Sequence, residues 1–227
     1  RIRSLHGMQQ AYSAPTDGPV EADVVAFPAS IASAADFQAW LGTVSGKIVL
    51  LSSPELSCRA PESWAAHATP ESIERQQARQ QASDEMYGAA RRAAGSNDIA
   101  GDVEAAGAVA VVSANWSNGW GANKYFGSPA DEIPGIQLSC EDYGLVHRLA
   151  TNDQGPRMRI DVQSRDLGQR PVFNVVGEIT GTELPDEYVL LSAHLDSWDA
   201  GSGATDNGSG TIMMMEAMRI LNETYPN

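Results

Sequence analysis

The chain has 227 residues and a mass of 24.1 kDa, room for one large domain or two small ones. Its 15 Lys and Arg stand against 29 Asp and Glu, a formal net charge of −14 with an isoelectric point near 4.5. Such a chain repels phosphate backbones and anionic headgroups, which argues against nucleic-acid and membrane-surface binding. A hydrophobic share of 42% with 19% charged residues belongs to a protein with a core, not to a disordered one.

No apolar run approaches the roughly 20 residues of a spanning helix; the longest are Ala105–Ala114 and Tyr188–Ala193. The sequence starts at Arg1 and shows no basic-then-apolar leader, so the expectation is a chain processed or cut from something longer. Cys58 and Cys140 are too few for a disulfide framework or a Cys-rich zinc site. They leave two readings open: one bridge across a long loop, or two buried free thiols.

In chain order, residues 1–19 carry Pro15, Gly18 and Pro19 and read as an irregular lead-in. Glu21–Phe27 is a β-branched strand stopped by Pro28. Ala35–Leu41 follows as a short helix with Ser33 as its cap, and Lys47–Leu51 as a buried strand. Residues 55–70, broken by Pro61 and Pro70, read as loop. From Glu71 to Ala94 the Gln, Glu, Arg and Ala composition predicts a helix, with apolar positions too sparse for full burial. Asp98–Ala106 is another short helix, Ala108–Ser113 and Ile133–Leu138 are strands, and Cys140–Ala150 is a helix begun near Ser139. Between them a polar loop from Ser113 to Gly127 holds Trp116, Trp120, Tyr125 and Phe126. Rings on such a loop are either packing anchors or part of a ligand-facing surface. A strand is expected over Met158–Gln163.

The last third changes character. Pro171–Ile179 and Glu187–His194 read as strands joined by the turn Thr180–Asp186, and an apolar helix runs from Thr211 to about Leu221. Between strand and helix lies the polar run from His194 to Gly210. Ligands of helix-covered sheets gather at the carboxyl ends of strands, which is where this run falls. His194 and Asp196 are two residues apart, so on an extended backbone they point the same way. That suits a metal-bound imidazole and a carboxylate that orients it. Asp206, beyond a Gly- and Ser-rich loop able to fold back, suits a carboxylate between two cations about 3.5–4 Å apart. Neutral imidazole with hard carboxylates favours zinc, without excluding manganese or cobalt. A plainer reading makes Asp206 or Asn207 the N-cap of the Met-rich helix, and His194 a strand-end polar residue.

His194–Asp199 (HLDSWD) followed by Gly201–Gly210 (GSGATDNGSG) resembles the metal-site region of the co-catalytic zinc exopeptidases, in particular the carboxypeptidase Q branch and its bacterial relatives. The resemblance implies that His194 ligates one zinc, Asp196 orients it, and Asp206 bridges two zinc ions. Residues from about Thr16 to Gln163 resemble the protease-associated (PA) domain inserted into these enzymes, with GKIVLL, EAAGAVAVV and IPGIQLS as core strands. The likeness is weakest over residues 55–98. The fold implied is α/β: a PA domain over 1–165, sandwich- or barrel-like with flanking helices, then the opening strands and helix of a zinc-peptidase sheet over 166–227.

The family site also needs a Glu-Glu pair, a further acidic ligand and a distal histidine. Past Asp206 the only carboxylates are Glu216 and Glu223, which form no such pair, and no histidine follows His194. The resemblance therefore implies a zinc-dependent exopeptidase as the parent protein, acting on small peptides, and an inactive fragment here that does not retain the metal. Trp116, Trp120 and Tyr125 are candidates for a lid over the substrate, a homodimer is compatible, and export to the periplasm or beyond is expected. The rival expectation is a non-catalytic PA-type module that binds protein or peptide. Met213–Met215 is the apolar patch expected to lie exposed.

Overall fold

A computed structural model describes residues 3–122, 127–198 and 201–225. The chain divides into two units, Arg1–Asp166 and Leu167–Asn227.

The first unit is α/β. Its strands are β1 (Gly7–Gln9), β2 (Val20–Ala26), β3 (Ile48–Leu50), β4 (Ala110–Ser113), β5 (Gly135–Leu138) and β6 (Arg157–Ile160). They form one six-stranded sheet in the order β1-β5-β4-β3-β2-β6. The four central strands run parallel, with Val24 opposite Ile48, Ile48 opposite Ala110 and Val111 opposite Gly135. The two edge strands are antiparallel to their neighbours. Five helices accompany the sheet: α1 (Ala34–Leu41), α2 (Pro61–His67), α3 (Pro70–Ala94), α4 (Ile99–Ala105) and α5 (Cys140–Thr151).

Parallel strands need crossovers, and crossover helices cover both faces of the sheet. The side-chain alternation of the strands therefore feeds two cores. Val49, Leu51 and Val111 pack with Phe37 of α1, Tyr87 and Ala90 of α3 and Val103 of α4. Ile48, Leu50, Ala110 and Val112 pack on the other side with Tyr143 and Val146 of α5. Short polar side chains set the helix starts: Ser33, Thr69, Asp98 and Ser139 each accept a backbone N–H at the head of α1, α3, α4 and α5.

Two expectations for this unit change. The lead-in contains β1, held by backbone pairing to β5 and by Asp142, which accepts from the Arg3 guanidinium at 2.5 Å and the His6 N–H at 2.6 Å. That anchor comes from a residue 136 positions away in sequence, so no local pattern announces it. The loop 55–70 contains α2, begun by Pro61 at its first turn; the proline that reads as a breaker is a helix starter there. The open question over the cysteines is resolved as a disulfide between Cys58 and Cys140, 82 residues apart, which ties the segment before α2 to the first residue of α5.

The second unit contains α6 (Gly210–Thr224) preceded by a wide turn over Ala204–Ser209. The segments Pro171–Ile179 and Glu187–His194 are not strands. They run without a ladder partner, and Val172, Val175 and Val189 are about nine-tenths exposed. A β-strand is a property of a pair, and β-branched composition cannot supply the second member. Met213 and Met215 are exposed as expected, each 64%. No helix among the described residues is long and apolar enough to cross a membrane.

Replacing both cysteines (Cys58→Ser with Cys140→Ser) is expected to lower the unfolding free energy by roughly 2–5 kcal/mol in urea melts, because the bridge closes a long loop in the unfolded chain. A change below about 0.5 kcal/mol would show that other contacts hold the loop. His147 of α5 is buried, bonded to the Tyr87 hydroxyl at 3.0 Å, and burial pushes its pKa down to about 4. Its neutral form is the folded one, so its contribution is complete above an ordinary imidazole value of 6.5 and is lost as the pH falls toward 4. In melts at pH 7 and 4.5, His147→Gln is expected to be less stable at pH 7 but to show a smaller loss on acidification. An unchanged loss would remove His147 from the account.

Candidate functional site

The site is built on the second unit. Its first residue, His194, ends the unpaired segment Glu187–His194, and its ring lies between two carboxylates. Nδ1 is 3.0 Å from Asp196 Oδ1 and 3.1 Å from the Asp196 carbonyl oxygen. Nε2 is 3.0 Å from Asp206 Oδ1. The predicted trio is therefore brought together on one imidazole. The carbonyl of Asp196, then its carboxylate and the nearby charge of Asp206, raise the His194 pKa above the ordinary imidazole value.

Glycine makes the return of Asp206 possible. Gly203 adopts a φ of +66°, and a Cβ there would come within 2.9 Å of Ser197 Cβ. A Cβ on Gly208 would meet the Gly203 carbonyl at 2.9 Å, where the Gly208 N–H donates at 2.8 Å. The chain folds back on itself through these two positions, and a side chain at either would push the loop open. The Ser209 hydroxyl donates to the Thr205 carbonyl at 2.7 Å and closes the turn.

The plainer reading of Asp206 and Asn207 as helix caps does not fit. The cap position of α6 is Ser209 and no side chain bonds the helix N-terminus. The Asp206 carboxylate faces His194 instead. Thr211, read from sequence only as the start of the helix, donates its hydroxyl to the His194 carbonyl at 3.4 Å. A hydroxyl in the first turn after a glycine loop was the available signal, but nothing local tells which carbonyl it reaches.

The donor chemistry suits a divalent ion. A tetrahedral zinc about 2.1 Å from each donor would separate them by roughly 3.4 Å, and Nε2 and Oδ1 stand 3.0 Å apart. With Nδ1 bonded to Asp196, a neutral His194 ring would direct its Nε2 lone pair at the space that the Asp206 carboxylate faces. No group of three or more His, Cys, Asp or Glu side chains able to hold a metal occurs among the described residues. Glu216 and Glu223 are both ion-paired with Arg219, at 2.7 and 2.6 Å.

Of the lid candidates, Trp116 donates its indole N–H to the Gly119 carbonyl at 2.9 Å within its own loop, whereas Trp120 is 83% exposed. Both belong to the first unit, and Tyr125 lies outside the described residues.

The chain is similar to known proteins in sequence and in fold. Residues 174–227 match the model of peptidase family M28. Mouse carboxypeptidase Q is 34% identical over 136 residues, covering 55% of this chain and 28% of that protein. A peptidase M28 precursor from Shewanella amazonensis shares the fold with a TM-score of 0.57 at 23% identity, covering 91% of this chain and 42% of its own. A zinc aminopeptidase from Bacillus subtilis does so with a TM-score of 0.54 at 21% identity, over 97% of this chain and 43% of its own. The chain thus spans less than a third of the curated relative and under half of either solved structure. It is a partial match to peptidase family M28, with the family sequence in residues 174–227, a likeness to carboxypeptidase Q, and the fold of M28 peptidases.

Proposed function

We propose that the parent protein is a zinc-dependent exopeptidase hydrolysing small peptides, and that His194, Asp196 and Asp206 are part of its metal centre. The observation that carries this reading is the His194 imidazole held between two carboxylates, at 3.0 Å on each side. His194 Nε2 and Asp206 would hold a zinc ion, and the second Asp206 oxygen is the donor free to reach a second one. Asp196 is a positioning residue: by accepting the proton of Nδ1 it keeps Nε2 as the ligating nitrogen and raises its basicity. When bound, zinc polarises the scissile carbonyl and lowers the pKa of a bound water toward neutrality. The resemblance to the zinc exopeptidases implies a glutamate from elsewhere in the parent protein as general base; Glu216 and Glu223 are paired with Arg219.

The first unit is assigned as the PA domain. GKIVLL, EAAGAVAVV and IPGIQLS, the strings that carry that likeness, lie on the adjacent strands β3, β4 and β5. Its disulfide supports an oxidising compartment, periplasmic or extracellular. Trp120, exposed on the first unit, is available to contact a short substrate.

Dipeptide hydrolysis by the full-length parent is expected to disappear with a chelator and return with zinc. His194→Ala and Asp206→Ala should each lose bound zinc and at least about a hundredfold of activity. Full activity in either variant would sink the assignment. Asp196→Asn is expected to keep the fold and lower zinc affinity about 10–100-fold, whereas unchanged affinity would remove its positioning role. The 227-residue chain, with two donors on one imidazole-carboxylate line and no third among the described residues, is expected to show no turnover with added zinc.

A further inference from the structure

The segment between β3 and α4 carries a feature that the metal centre does not use. A pocket of about 260 Å³ lies between α2 and α3, lined by Trp64, Ser72, Arg75, Gln76 and Arg79. The lining holds two guanidinium groups and no carboxylate, in a chain where acidic residues outnumber basic ones 29 to 15. Arg75 and Arg79 are one helical turn apart on α3 and so project from one face. Neither has an ion-pair or hydrogen-bond partner among the described residues, although Arg219, Arg157 and Arg3 each have a carboxylate partner. The wall opposite is already set. The Arg59 guanidinium lies 5.2 Å from the centre of the Trp64 ring, and its Nε donates to the Ser63 hydroxyl at 2.8 Å. Ser72, whose N–H is fixed by the Thr69 cap, and Gln76 add neutral donors beside the arginines.

The geometry points to a binding site for a small organic carboxylate on this face: an anionic head taken by the Arg75 and Arg79 forks, and an apolar body laid along Trp64. Two guanidinium forks match the planar, bidentate geometry of a carboxylate, where lysines would offer only point charges. The indole wall favours a carboxylate with an attached apolar group over a bare inorganic anion. The volume is below the roughly 300 Å³ at which drug-sized ligands begin, so the occupant is about the size of one amino-acid residue. Two sources share that chemistry: a free acylated amino acid and the C-terminal residue of a peptide. The site lies wholly in the first unit and does not depend on the metal reading of the second.

The test is an NMR titration of the 227-residue chain, following the Nε–H signals of Arg75 and Arg79 and the indole N–H of Trp64. The probes are N-acetyl-phenylalanine, its amide, N-acetyl-glycyl-glycyl-phenylalanine and inorganic phosphate. N-acetyl-phenylalanine is expected to shift all three signals and to saturate by about 20 mM, with the amide at least about tenfold weaker. Arg75→Gln with Arg79→Gln, exposed helix positions where glutamine is well tolerated, should weaken binding at least about tenfold. The double lysine variant, which keeps the charge but not the forks, should fall between. Tighter binding of the tripeptide identifies a peptide C-terminus as the source; equal or weaker binding identifies the free acid. Acid and amide binding within about twofold of each other, or undiminished binding in the glutamine variant, overturns the proposal. So does a phosphate response as strong as that to the carboxylate, or a titration that fails to saturate.

Discussion

Everything in the first unit follows from the burial of β3. Ile48, Val49 and Leu50 are each completely buried, with β2 on one side, β4 on the other, and helices over both faces. A strand with no exposed face must be apolar at every position, and its neighbours must run parallel to be joined by covering helices. The split of consecutive residues into two cores, Val49 and Leu51 with α1, α3 and α4, Ile48 and Leu50 with α5, is the direct result. The disulfide and the Asp142 anchor secure segments that this core leaves free: the stretch before α2 and the lead-in through β1.

The second unit is organised by a different constraint. Its described residues form no comparable buried core, and its apolar segments lie exposed. What shapes it locally is backbone freedom at glycine. Gly203 and Gly208 let the loop close on itself, and that closure carries Asp206 back to the imidazole it faces. Helix capping would have used the same carboxylate at the head of α6; the loop directs it elsewhere, and the helix begins without a side-chain cap.

Charge has a different meaning in each unit. Over most of the surface the acidic excess is a solvated background. At His194 two carboxylates converge on one ring, Asp196 at Nδ1 and Asp206 at Nε2. Between α2 and α3 the background is reversed, with arginines gathered beside an indole. Net charge describes neither place, because binding responds to groups within a few ångströms and not to their sum over the chain.

The periodic elements of the first unit were legible in the chain: short apolar runs marked β2 to β5, helix-forming composition marked α3, and Ser33 and Ser139 marked the starts of α1 and α5. These are features in which a residue and its near neighbours settle the matter. The convergence of Asp196 and Asp206 on His194 was one of two readings the spacing left open, and it is the one the family resemblance favoured. Tertiary contact was needed for the rest. Pairing of β1 with β5, the joining of Cys58 to Cys140, and the hold of Asp142 on the lead-in depend on residues far apart in sequence. The same reason removes Pro171–Ile179 and Glu187–His194 from the strands: composition prepares a segment for a sheet, but only a hydrogen-bonded neighbour makes it a strand.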